Sequence, residues 1–189
     1  MENKNALLNE SVKAGLIIGA IGIVVFLIEY VADIKPVGIM KPILIMLVSL
    51  AFSITLVVIF LKKYRTESGG FISFKDAFLF GFIALIVAGI LSTLFTFLFT
   101  QFFDPSYMKS IMEAQKDWME NYLSGKMSDD QIQEQLAKID KQMNVSALRQ
   151  TLTGLIYSVV FGAIVALIVG AIMKKNPNVF DDKSSGGVI

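Results

Sequence analysis

Cysteine and histidine are both missing from the 189 residues. Without cysteine the chain forms no disulfide and offers no thiolate to a metal or a redox step. Without histidine it lacks the commonest general base, the commonest metal ligand and the side chain that titrates near neutrality. Proline is scarce as well: Pro36, Pro42, Pro105 and Pro177 all lie outside the longest apolar runs. Those runs are therefore not interrupted in the way of the discontinuous helices that line many transport sites. Charged residues make up 17% and nearly cancel at +1, with Trp118 the single tryptophan. No basic footprint for nucleic acid results, and no cofactor, catalytic or metal-ligating motif emerges.

What the chain has instead is apolar length. The hydrophobic share is 54% and the mean hydropathy +0.65, high for a soluble globule. Four apolar stretches predict spans at 14–32, 43–61, 77–103 and 152–173. The first is uncharged over Ala14 to Ile28 and is carried by its flank through Glu29 to Ala32. The other three approach or exceed the about 20 residues needed to cross a bilayer core. A charged start before a short apolar core is also the mark of a signal peptide. A cut after Ala32 would leave the bulky Tyr30 three positions upstream, so this stretch reads as an uncleaved first span. Residues 1–13 read as a polar tail and 176–189 as a disordered one.

Turn and cap signals separate the spans. Asp33 to Gly38 forms a turn, and Pro42 sits at a helix start. Ser73 with Asp76, and Ser128 with Gln131, have capping-box spacing. Within 104–147, Met108, Ile111, Met112, Met119, Tyr122 and Leu123, then Ile132, Leu136, Ile139 and Met143, recur at helical spacing around a break at Gly125. The fold expected is all-α: a four-span membrane bundle, a single domain over 14–175, with an amphipathic helical hairpin at 104–147 between spans three and four. Lys62, Lys63, Arg65, Lys174 and Lys175 crowd two span edges on the side of the termini. By the positive-inside rule both termini face the cytoplasm, and the hairpin faces outward.

The string Gly69-Gly70-Phe71-Ile72-Ser73-Phe74-Lys75-Asp76-Ala77-Phe78, the Phe103-Asp104-Pro105 exit and the second cap at Ser128-Asp129-Asp130-Gln131-Ile132 carry a likeness. With the four-span layout, they resemble the small membrane proteins of domain of unknown function 4199, seen mainly in Bacteroidota. The resemblance runs from about Ser11 to Lys175. It implies a bacterial inner-membrane location and brings no activity with it.

Three groups of residues stand out. Gly154, Ser158, Gly162, Ala166 and Gly170 repeat every fourth position in the last span, a small-residue ridge that lets helices approach closely. Gly15 and Gly19 on the first span make a matching step, and Gly81, Ala88, Gly89 and Ser92 offer another on the third. Glu29 and Asp33 share a helix face near the end of the first span; with Arg149 they form a candidate ion or salt-bridge site, against the plainer reading of solvated interfacial charges. Met112, Trp118, Met119 and Tyr122 give the hairpin an apolar-aromatic face for lipid, for its own bundle or for a partner. The hairpin's acids (Glu113, Asp117, Glu120, Asp129, Asp130, Glu134) alternate with lysines or sit at a helix start, as solvated faces do.

These readings favour a non-enzymatic scaffold or accessory protein that contacts the bilayer and another membrane or envelope protein, or itself. The alternative is a small transporter or homo-oligomeric channel. A membrane-bound enzyme is the weakest of the three.

Overall fold

The structure is a computed structural model, and it describes residues 2–124, 126–143 and 145–175. The expected break at Gly125 and the expected disordered tail at 176–189 lie outside the described residues. Among the described residues six α-helices follow in order: α1 (Glu2–Val31), α2 (Met40–Glu67), α3 (Phe74–Leu98), α4 (Tyr107–Leu123), α5 (Asp129–Met143) and α6 (Ala147–Met173). A π-helical turn, Phe99–Phe103, extends α3. Among the described residues four helices are long and apolar enough to cross a membrane: Asn5–Val31, Met40–Glu67, Phe74–Phe103 and Leu148–Met173.

All four spans are longer than the hydropathy pattern alone indicated. The supposed polar tail at 1–13 is helical from Glu2 onward. Leu7, Ser11, Ala14 and Ile18 form one buried stripe at helical spacing, so the apolar face begins well before the uncharged run. The Ser11 hydroxyl donates to the Leu8 carbonyl at 2.9 Å and is satisfied without water. Likewise Lys62, Lys63 and Arg65 do not end α2. It runs to Glu67, where the Gly70 amide reaches back to the Arg65 carbonyl and Gly69 takes φ +91°, the left-handed closure that glycine allows.

Both capping signals form. The Ser73 hydroxyl accepts from the Asp76 amide at 3.0 Å and donates to the Asp76 carboxylate at 2.7 Å. Ser128 and Gln131 cap each other reciprocally: the Gln131 amide donates to Ser128 Oγ, and the Ser128 amide to Gln131 Oε1. Ser146 starts α6 in the same way through the Arg149 amide, which places the helix start five residues before the expected span.

α3 is the centre of the bundle, flanked by α1 on one side and α6 on the other. The α6 ridge packs on α3, and Gly15 and Gly19 of α1 do the same rather than meeting α6. A Cβ added at Gly15 would lie 2.5 Å from the Ala84 carbonyl oxygen, and one at Gly19 would lie 3.1 Å from Ala88 Cα. Along α6, Gly162 faces Leu85 and Ala166 faces Gly81, so each four-residue step on one helix is met by a four-residue step on its antiparallel neighbour. α2 leans on the bundle mainly through Val57, Leu61 and Tyr64, near the end that holds the termini. Its first half exposes Leu44, Met46, Leu47 and Val48.

The tightest core also lies toward the terminal end. Phe80, Leu61, Val57, Val165, Val169 and Ser11 are its largest fully buried side chains. There Ile72 and Lys175 exchange both backbone hydrogen bonds, and Arg65 donates to the Met173 carbonyl at 3.2 Å. The two lysines after α6 thus end a helix whose last turn is tied to the α2–α3 loop.

Candidate functional site

The opposite end of the bundle carries the α4–α5 hairpin, and its attachment begins with Asp104. This carboxylate accepts from the Ser106 amide at 3.0 Å and the Ser106 hydroxyl at 2.6 Å, fixing the turn into α4. Its second oxygen accepts from the Tyr30 hydroxyl at 3.0 Å, across from α1. The hydrogen bonds from Ser106, followed by the one from Tyr30, hold the Asp104 carboxyl below its usual range despite some opposing desolvation. Around this link Phe26, Tyr30, Phe99 and Tyr107 pack edge to face, with centroids 4.9–6.2 Å apart. Burial, followed by the charges of Glu29, Asp33 and Asp104, raises the Tyr107 hydroxyl above its ordinary pKa.

A second attachment joins α4 to the α1–α2 loop. The Gly38 amide donates to Gln115 Oε1 at 2.7 Å, and the Trp118 indole lies over Gly38. Gly38 has φ +87°, and a Cβ there would stand 3.1 Å from Trp118 Cε2. Conformation and close approach together require glycine at this position. Tyr122 stacks on Trp118 at 4.8 Å, and Lys126 covers its ring at 3.5 Å. Of the aromatic face foreseen for the hairpin, Met112, Trp118 and Met119 are half-buried, and Tyr122 is exposed. α5 places Ile132, Leu136 and Ile139 against α4, with Lys116 paired to Asp140 across the hairpin.

The acidic pair separates into two local roles. Asp33 closes α1: the Ile34 amide bonds to the Glu29 carbonyl and the Asp33 amide to the Tyr30 carbonyl, with Asp33 at φ +51°. Its carboxylate pairs with Lys35 at 3.0 Å and stays largely solvated. Glu29 is half-buried beside Tyr107. Among the described residues no ion pair links Arg149 to either acid. Nor does any group of three or more acidic side chains stand where it could hold a metal. Glu113 pairs with Lys109 at 3.6 Å and Glu134 with Lys138 at 2.9 Å, one helical turn apart in each case.

Sequence reasoning missed a cleft under the hairpin. An inner chamber of about 290 Å³ lies between α3 and α6, lined by Thr93, Thr96, Phe97, Gln150 and Gly154. An outer one of about 420 Å³ shares Thr100, Met108 and Gln150 with it and reaches Gln101 and Lys109 at the rim. Below, the cleft closes where Gly89 meets Ser158: a Cβ on Gly89 would lie 2.8 Å from Ser158 Oγ. The available signal was the run of hydroxyls at Ser92, Thr93, Thr96 and Thr100, spaced along one side of α3.

The four apolar helices, uncharged through their middles and crowned at one end by a tethered hairpin, define a multi-pass helical membrane protein. The family model described as a protein of unknown function, DUF4199, matches residues 13–175, and the chain belongs to that family. No curated protein and no solved structure matches the chain.

Proposed function

We propose that the chain is a non-enzymatic accessory or scaffold protein of the bacterial inner membrane, with both termini cytoplasmic and its hairpin held outside as a platform. The observation that carries this reading is the double attachment of α4, through Asp104 to Tyr30 and through Gln115 and Trp118 to Gly38. A segment fixed at two points presents a defined surface rather than a loose connection. α5 buries Ile132, Leu136 and Ile139, and the face it offers is its polar side, with Gln133, Glu134, Lys138 and Lys141. A partner for that face is a polar protein surface rather than a buried apolar helix.

The floor formed by Gly89 and Ser158 argues against the transporter alternative, because it closes the hydroxyl-lined cleft between α3 and α6. Purification in mild detergent followed by native mass measurement tests the role. A stoichiometric complex with a second membrane or envelope protein, lost when Glu134 and Lys138 are reversed in charge, supports it. A defined homo-oligomer that passes ions or solutes in liposomes overturns it. Orientation is tested separately with single cysteines, since the chain has none. A membrane-impermeant thiol reagent on intact cells should label Ser124→Cys and spare Ser68→Cys, both exposed positions. The reverse pattern refutes cytoplasmic termini.

A further inference from the structure

We propose that the cleft between α3 and α6 binds one anionic glycerophospholipid, its phosphate at Lys109 and an acyl chain passing inward toward Phe97 and Gly154. This goes beyond the accessory role and does not depend on it. The cleft exists because the helix seam opens toward the hairpin. Contacts to an added Cβ are 2.8 Å at Gly89 and 3.2 Å at Gly162, but at Gly154 the nearest atom is Thr93 Cγ2 at 4.0 Å. The two chambers, about 290 and 420 Å³, are each of the order that small ligands occupy.

The lining changes chemistry in three tiers. At the rim Lys109 supplies a cation, and its one ion pair among the described residues is a loose contact of 3.6 Å to an exposed Glu113. Gln150 sits beside it as an amide. Further in come Thr96 and, level with it, the Phe97 ring. Thr96 lies seven residues before the end of its span, about 10 Å inside at 1.5 Å per residue. Thr55, Thr100 and Ser158 spend their hydroxyls on a carbonyl in their own helix; among the described residues Thr93 and Thr96 have no such bond. A hydroxyl at that depth gains from an acceptor. Deepest are the Thr93 methyl and the open surface of Gly154.

Phosphate, ester carbonyl and acyl chain follow the same order from head to tail in a glycerophospholipid. Inorganic phosphate lacks the lower two tiers, and a fatty acid lacks the ester carbonyl that Thr96 would meet.

Native mass spectrometry of the delipidated full chain in nonionic detergent tests this, with dioleoylphosphatidylglycerol, dioleoylphosphatidylcholine, oleate and inorganic phosphate as probes. Phosphatidylglycerol should form a one-to-one adduct about fivefold tighter than phosphatidylcholine, the effect of one lysine near an anionic head. Lys109→Ala should remove that preference, and Lys41→Ala, an exposed cation at the same end of the bundle, should leave it intact. Thr96→Val should weaken phosphatidylglycerol several-fold, and Gly154→Leu should fill the chamber and abolish the adduct. If Gly154→Leu fails to fold, the other two variants decide. Equal retention of both phospholipids, oleate or phosphate binding as tightly as phosphatidylglycerol, or equal effects of Lys41→Ala and Lys109→Ala would overturn the proposal.

Discussion

Gly89 on α3 and Ser158 on α6 face each other so closely that a Cβ on the glycine would lie 2.8 Å from the serine Oγ and 2.9 Å from its Cβ. The serine cannot turn away freely, because its hydroxyl donates to the Leu155 carbonyl at 2.8 Å. Gly89→Ala should therefore lower the thermal midpoint in detergent, at an overpacking cost of about 1–3 kcal/mol. Adding Ser158→Gly should recover most of the loss. Gly154→Ala, with its nearest neighbour at 4.0 Å, should change the midpoint little. A null effect of Gly89→Ala would mean that the α3–α6 seam is looser than its geometry indicates.

That seam also marks how far the sequence could be read. The small-residue ridge was visible from Gly154 to Gly170, because a four-residue repeat is a property of one strip of chain. Its partner was not legible: Gly15, Gly19, Gly81 and Gly89 all carry the same small-residue signal, and only three-dimensional arrangement shows that α3 receives both neighbours. Caps at Ser73 and Ser128 were legible since the donor and acceptor lie three residues apart. The start of α1 was not, because Leu7 and Ser11 are hidden among charges and become a face only on a helix that has something to pack against. The cleft was least legible. It is a gap between α3, α4 and α6, and no single segment records the place where two helices diverge.

The contact of Gly38 with Trp118 predicts that the hairpin can be loosened from the first loop. Gly38→Val introduces a β-branched side chain at φ +87° and drives a Cβ toward the indole. The left-handed backbone alone costs roughly 1–2 kcal/mol for a residue with a Cβ. Since Trp118 is the only tryptophan, its emission reports the site directly. The variant should show a red-shifted maximum and stronger quenching by acrylamide, with the helical circular dichroism of the spans retained. An unchanged spectrum would show that α4 is not held by this contact.

Asp104 predicts an acid limb in stability. Its folded pKa is lowered, first by the Ser106 hydroxyl, so its contribution is present above the unfolded value of about 3.9 and is lost as pH falls through the still lower folded value. Tyr107 acts at the other extreme. Its folded pKa is raised by burial, so stability relative to the ionised state is present below about 10 and lost as pH climbs through the folded value. Thermal midpoints should be flat between these limits and fall beyond both. Asp104→Asn should flatten the acid limb, and Tyr107→Phe the alkaline one. Limbs that persist in both variants would assign the pH dependence to other groups.

Asp33 separates a structural role from an ionic one. At φ +51° it is the left-handed residue that closes α1, and the adjacent backbone bonds from Ile34 and Asp33 depend on that conformation. Asp33→Gly should keep or slightly raise stability, because glycine adopts this region without a steric cost. Asp33→Val should lower it by about 1–2 kcal/mol, the penalty of a Cβ in the left-handed region. A cation site built from Glu29 and Asp33 predicts a different pattern. Asp33→Gly and Glu29→Gln would then both abolish any stabilisation by added cation, whatever they do to the helix end. Thermal midpoints of the three variants with and without a divalent salt distinguish the two. With Asp33 acting as a cap, Gly and Val should diverge strongly from each other, and the salt should make no difference to their order.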